Sequence, residues 1–249
     1  MLPPNGLDAA EQIIEFAESI GVRLRLLGGL AFKRTCPSAS EPRYYRENKD
    51  IDLMGRREDC KAIMKMLGDL GYRPREVFNK LSMGHRLIYY DMVNRRRVDV
   101  FLDEFVMCHK FNFKRSLLPD SYTLPMTQLV MTKLQVVEKT EKEYLDLIAG
   151  FKDFDVTPGK GGIDADEISE VCSRDWGVYT TFRKSLASLR ERALSLGSDE
   201  RNVIVPRIDA LILAVESRPK SFAWKMRARI GEKARWYELP ETDGDAMLD

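Results

Sequence analysis

The chain has 249 residues, of which 44% are apolar and 32% charged, a balance that excludes a globally disordered polypeptide and allows one large domain or two small ones. Lys and Arg number 40 against 39 Asp and Glu, so overall charge does not point to a polyanionic partner. Four cysteines (Cys36, Cys60, Cys108 and Cys172) without a CxxC, and only two histidines (His85 and His109), exclude zinc fingers and multi-histidine metal sites.

In chain order, residues 8–20 place Ile13, Ile14, Phe16, Ala17 and Ile20 at helical spacing, with Gly21 as the stop. Residues 22–27 read as a strand running into Gly28-Gly29, and a short helix, LAFKR, is expected after the glycines. Residues 35–47 are polar with two prolines and read as a loop. KDIDLM (49–54) reads as a short strand, and 57–70 as an amphipathic helix through Ile63, Met66, Leu67 and Leu70, ended by Gly71. HRLIYYDM and RRVDVFLD, separated by a polar VNR, read as a β-hairpin with its turn near Asp91–Asn94. The second half is helical in pattern: 125–136, 141–151, 165–173, 178–195, 207–217 and 221–236. Residues 152–164 form a Gly- and Asp-rich connection, and Asp164 with Glu167 reads as a helix cap. No run approaches 18 apolar residues, so no membrane partner is expected. The opening MLPPNGLDAAEQ lacks a basic-then-apolar leader, so a cytoplasmic location with reduced thiols is the expectation.

Asp50 and Asp52 flank Ile51, and on a strand such residues share a face. Two carboxylates held that close repel, and a divalent cation relieves the repulsion. Mg²⁺ takes oxygen ligands and shares them with phosphates. Asp99 sits between Val98 and Val100 in an apolar strand, where a carboxylate needs a partner. If it faces the same way, three carboxylates converge on one or two ions of a phosphoryl-transfer site. A DxD on a solvated edge strand is the competing explanation. Asp103 is a weaker candidate, four residues further along. Gly28-Gly29 after a strand suits close approach of a phosphate to backbone N–H groups, although a tight turn explains the pair equally well. Neither a P-loop nor a dinucleotide fingerprint is present.

The order of LLGGLAF (26–32), KDIDLM (49–54) and RRVDVFL (96–102) resembles the nucleotidyltransferase superfamily with the DNA polymerase beta-like fold. The resemblance implies that Gly28 and Gly29 hold a nucleoside triphosphate, with ATP as the expected one. It also implies that Asp50, Asp52 and Asp99 are catalytic and bind Mg²⁺ or Mn²⁺. Leu30 follows the glycines, and no Ser or Thr occurs until Thr35, so a hydroxyl contact to phosphate at the turn is not supplied there. MTKLQVVEKTEKEYLDLIAGF (131–151) is similar to the helical segment of AbiEii toxin-like and related minimal transferases, which implies nucleotide-handling roles for Lys133 and Asp146. Where that family carries Lys-Asp, this chain has Lys142-Glu143. Lys142 and Asp146 also form an ordinary i,i+4 pair.

Other groups carry weaker signals. His85 and His109 read as structural polar contacts, and the cysteines as small apolar groups or surface thiols. Arg95-Arg96-Arg97 read as a hairpin turn or a phosphate clamp. Arg43, Arg46 and Lys49, with Tyr44 and Tyr45 between them, suit a mobile nucleotide or acceptor rim. Residues 217–235 carry seven bases against one acid, with Phe222 and Trp224 interspersed, and 152–175 carry seven acids against three bases. The basic segment reads as a packed terminal helix with snorkelling cations, or as an RNA-binding segment; the two oppositely charged regions also suit mutual pairing.

The expected architecture is α+β (mixed α/β): a nucleotidyltransferase-like core over 1–115, with a small mixed sheet flanked by helices, followed by an α-helical module over 116–249 that completes the cleft. The expected reaction moves a nucleoside monophosphate from a triphosphate to an unidentified hydroxyl-bearing acceptor, RNA among the candidates, and releases pyrophosphate. Two alternatives stay open: a non-catalytic nucleotide- or RNA-binding protein with a degenerate site, and a toxin-like RNA-modifying transferase. Oligomeric state is not legible.

Overall fold

The computed structural model describes residues 2–48, 50–119, 121–159 and 161–239. Helix α1 (Gly6–Ser19) starts where the Asn5 side chain accepts the Leu7 N–H, and it buries Ala9, Ala10, Ile13, Ile14 and Ala17. Strand β1 (Arg25–Leu27) leads directly into α2 (Gly28–Thr35), then β2 (Asp50–Gly55), α3 (Cys60–Asp69), β3 (Arg73–Pro74) and α4 (Glu76–Leu81). The hairpin β4 (Arg86–Asp91) and β5 (Arg96–Leu102) follows, and then a second, smaller hairpin, β6 (Glu104–Val106) and β7 (Lys110–Asn112). The remainder is helical apart from a two-residue parallel pair, β8 (Val156–Thr157) and β9 (Ile163–Asp164). Its helices are α5 (Met126–Leu134), α6 (Glu141–Asp153), α7 (Ala165–Arg174), α8 (Trp176–Leu194), α9 (Ser198–Ser217) and α10 (Phe222–Ile230). A mixed α/β core followed by a helical module is therefore the architecture.

The main sheet has the order β1-β2-β5-β4-β3. β2 and β5 are its parallel pair, and the other neighbours run antiparallel. Continuous apolar runs in β4 and β5 are buried, as a central position in a covered sheet requires. The apolar cluster extends without a break from α1 and the sheet into Phe182, Leu186, Ile208 and Leu211 of α8 and α9.

Several expectations are corrected. The helix after β1 begins at Gly28 itself, so both glycines form its first turn; Leu30, Ala31 and Phe32 anchor it in the core. Leu30 stands where a hydroxyl was sought because that position packs inward. α4 and the β6–β7 hairpin had no sequence signal strong enough to predict them. α9 begins at Ser198, nine residues before the expected start, and runs through Pro206, an exposed position. α10 ends at Ile230 because Gly231 adopts φ +62°, which breaks the helix short of 236. It packs only lightly: none of its residues is buried and Phe222 is 79% exposed, while Trp224 meets the Tyr179 ring edge-on and Arg227 lies over Trp176 of α8. The Asp164 cap is present, its carboxylate accepting the N–H groups of Asp166 and Glu167.

Candidate active site

The register of three strands builds the site. Leu27 of β1 faces Asp52 of β2, and Asp52 in turn faces Asp99 of β5. Alternation along β2 puts Asp50 on the same side as Asp52. All three carboxylates therefore lie on one face of the sheet, beside the first turn of α2. Gly28 has φ +67°, and a Cβ there would lie 2.0 Å from Asp52 Oδ2, so backbone and carboxylate approach more closely than any side chain would allow. A Cβ at Gly29 would collide with the Arg46 guanidinium and the Asn48 side chain. No side chain caps the N-terminus of α2.

The glycine turn and the carboxylates border a pocket of about 210 Å³. Asp50, Asp52 and Asp99 line it together with Arg86, Arg97, Lys133 and Glu143, and Phe101, Phe105 and Met107 form its apolar wall. Asp99 is buried and doubly engaged. Arg86 donates from Nε to Oδ1 at 2.6 Å and from Nη2 to Oδ2 at 2.7 Å, while Arg97 donates from Nη2 to Oδ2 at 2.5 Å. The Arg86 guanidinium lies over two rings, 4.8 Å from the Phe101 centroid and 5.8 Å from that of Phe78.

Burial pushes the Asp52 carboxyl up, and the neighbouring Asp99 and Asp50 charges push it further, to about 7, against the opposing pull of Lys133 and Arg97. A carboxylate frustrated in this way gains from a cation. Among the described residues, however, no three His, Cys, Asp or Glu side chains are arranged to hold a metal ion. Of the three carboxylates, Asp99 is engaged by two guanidinium groups, which leaves Asp50 and Asp52 as the pair that could meet a hard cation.

Lys133, near the end of α5, and Asp146, on α6, form a second, contiguous cluster. Lys133 Nζ lies 2.8 Å from Asp146 Oδ2 and 3.9 Å from Glu143. Arg46 grips Asp146 through Nε at 3.1 Å and Nη2 at 2.7 Å. Burial alone would raise the Asp146 carboxyl; Lys133 and Arg46 outweigh it and hold the group below its ordinary value. Glu143 behaves alike: Lys133 and the Thr140 hydrogen bonds overcome burial. Thr140 and Glu143 form the capping box that opens α6. Lys133 lines the pocket, whereas Asp146 stands behind it.

The remaining candidates separate. Arg95 occupies the hairpin turn at φ +53°; Arg96 is buried against Asp91 and the Pro3 carbonyl; only Arg97 enters the pocket. Asp103 lies past the end of β5 and accepts the Arg57 N–H. Arg43 pairs with Glu200 of α9, and the Tyr44 hydroxyl donates to the same carboxylate, so the 41–48 segment is tied to the helical module. Lys49 lies outside the described residues. His109 bonds Thr181, and His85 stands 3.9 Å from Glu104. Arg218 reaches Asp166 and Glu170, a limited pairing between the basic and acidic segments. All four cysteines are free.

Arg86 is the charged pocket residue that sequence reasoning did not single out, and Phe105, Met107 and Thr132 of the lining were not singled out either. The hairpin turn falls at 92–95 and pairs Asp91 with Arg96 and therefore Ile88 with Asp99, which puts Arg86 one same-face step away; the expected turn near Asp91–Asn94 gives a different register.

No family model matches this sequence, and no curated protein matches it. Among solved structures it is similar to the antibiotic-resistance factor ANT(2'')-Ia, at 12% identity and a TM-score of 0.39, over 84% of this chain and 94% of that one. The likeness is weak and carries no argument by itself. It does not reach the narrower AbiEii group, and it leaves function to the site itself.

Proposed function

We propose that this chain is a metal-dependent nucleotidyltransferase that moves a nucleoside monophosphate from a nucleoside triphosphate, ATP by expectation, to a hydroxyl. The single observation that carries this reading is the in-register placement of Asp52 and Asp99, with Asp50, against the uncapped glycine turn that begins α2. Asp50 and Asp52 would hold Mg²⁺ or Mn²⁺ jointly with triphosphate oxygens. That ion supplies charge neutralisation at the phosphates and at the leaving pyrophosphate.

The protein's own groups then have definable tasks. The glycine turn offers backbone N–H groups and a helix N-terminus to phosphate. Lys133, Arg86 and Arg97 bring positive charge to the same pocket. Asp146 and Arg46 position Lys133. Asp99 accepts the acceptor's proton. On this reading residues 1–115 supply the carboxylates, and 116–249 supply Lys133 and Glu143.

The test is incubation with α-labelled and γ-labelled triphosphates, Mg²⁺ or Mn²⁺, and RNA, protein and small-molecule fractions. Transfer of α-label that disappears in Asp50→Asn/Asp52→Asn with the fold retained supports the proposal. Transfer of γ-label points to a kinase instead. The engagement of Asp99 by two arginines favours a second reading, a pocket that binds nucleotide without transferring it. That reading expects nucleotide binding to survive loss of both Asp50 and Asp52 carboxylates.

A further inference from the structure

A second cavity, of about 400 Å³, adjoins the carboxylate pocket. Arg86 and Met107 line both, so these two side chains form part of the wall between the two spaces. Phe78, one of the rings beneath the Arg86 guanidinium, faces the second cavity, while Phe101, the other, faces the first. A group lying in the second cavity is thus one side chain away from Asp99, which Arg86 holds through both oxygens.

The two cavities differ in chemistry. Seven of the fourteen residues that line the carboxylate pocket carry ionisable side chains, against three of nine in the second cavity. The second cavity is walled by Phe78, Leu81, Val106, Met107 and Leu239, and its volume falls in the range of small-molecule sites. Several of these side chains are large and solvent-facing: Leu81 is 74% exposed, and Val106 and Leu239 are also exposed. Met83, close to Leu81 in sequence, is exposed as well. An apolar rim continuous with a built cavity is an unusual use of surface unless something apolar covers it. The polar lining is Ser82, His85, Arg86 and Glu238, so among the described residues Arg86 is the one Lys or Arg at the cavity and it is balanced there by an acid. Arg86 is committed to Asp99, so the cavity lacks the positive charge that a nucleic-acid backbone would need.

We infer that this second cavity is the acceptor site and that it takes a small hydroxyl-bearing molecule with an apolar, aromatic or aliphatic body. The inference rests on the transferase reading for the word acceptor, but not for the cavity's preference. The hydroxyl of such a molecule would enter past Arg86 toward Asp99. Its oxygen would form a bond to the α-phosphorus as the bond to the β-phosphate oxygen breaks. The hydroxyl proton passes to Asp99, and pyrophosphate leaves with the bonding pair.

The test uses 2-naphthol, a fluorescent aromatic alcohol, titrated into the full chain. Saturable one-to-one binding is expected. It should weaken at least tenfold in Val106→Asp and in Leu81→Asp, and stay within twofold in Val93→Asp, an exposed apolar position at the β4–β5 turn. Both cavity positions are partly or largely exposed, so a carboxylate there leaves the core intact. Absence of saturation, or equal weakening in all three variants, overturns the apolar preference. A second arm follows pyrophosphate release from ATP with Mg²⁺. Acceleration by 2-naphthol, and not by glucose or a short RNA, supports the acceptor role. Acceleration by glucose or RNA that 2-naphthol does not compete away overturns it. If 2-naphthol binds as expected yet no hydroxyl compound releases pyrophosphate, the transferase reading and the acceptor role fall together, and the cavity's ligand class stands.

Discussion

Two regions of this molecule are dense in charge, and they use it in opposite ways. In the pocket between the sheet and α5–α6, charges from distant segments converge and engage one another: Asp99 with Arg86 and Arg97, Lys133 with Asp146 and Arg46. In the segment 217–235, cations are numerous but dispersed. Lys220 and Arg227 serve backbone carbonyls, while Lys225, Arg229 and Lys233 show no ion pair among the described residues. The difference teaches that a count of like charges along the chain says little about a site. What matters is whether the fold brings opposite charges out of water together, because only there do they shift protonation and resist screening.

The comparison can be broken most decisively at Asp52. In Asp52→Asn, metal-dependent α-label transfer should fall by about a hundredfold or more, the scale of losing a key electrostatic group in a catalytic site. Stability should move the other way. The folded carboxyl is raised to about 7, so the fold prefers it protonated. The native state therefore loses stability, relative to its value at low pH, as pH climbs from about 3.8 to about 7. Melting curves across that window should show Asp52→Asn gaining on the natural chain, and Mg²⁺ with triphosphate should narrow the gap. Equal pH dependence in the two proteins would remove the argument.

Asp146 should show the opposite sign. Its carboxyl is held below its ordinary value, so its contribution is fully present above about 3.8 and disappears as pH falls below that. Asp146→Ala leaves Lys133 and Arg46 facing each other in a buried cluster and should destabilise by about 3–5 kcal/mol in denaturant titration at neutral pH. Gly28→Ala comes next. Its left-handed φ alone costs a side-chain-bearing residue about 1–2 kcal/mol. The added methyl must also displace the Asp52 carboxylate, so metal-dependent transfer should fall along with the melting temperature. The smallest effect belongs to the contrasting region: Lys225→Ala with Arg229→Ala should change stability by no more than about 0.5 kcal/mol, as exposed, unpaired side chains do. A large loss there would show that the basic segment is built into the fold.

Much of the site could be read before any coordinates. The DxD spacing on β2, the isolated Asp99 in an apolar strand and the glycine turn each have a local cause in alternation, burial or backbone freedom. Arg86 needed one further step, the hairpin register. Arg97 was left between turn and clamp because three consecutive arginines look alike in sequence, and only the pleat sends Arg95, Arg96 and Arg97 to a turn, the interior and the pocket. Phe222, Met226 and Ile230 of α10 are exposed, so the expected packed terminal helix turns only part of its surface to the fold. Helical spacing shows which side chains share a face, but not whether anything lies against that face.

Sequence by itself determined the elements whose pattern repeats within a few residues: the amphipathic helices α1 and α3, the β4–β5 hairpin, the cap at Asp164, and the pairing of Asp50 with Asp52 on one strand face. Tertiary structure alone decided that Arg46, Lys133 and Asp146 meet, that Asp99 is held by two guanidinium groups, and that an apolar cavity opens on the far side of Arg86. Apart from Arg97, two residues from Asp99, the ion pairs among them join residues 13 to 100 positions apart. Local propensity cannot encode such contacts, because they follow from how buried faces satisfy one another across the whole fold.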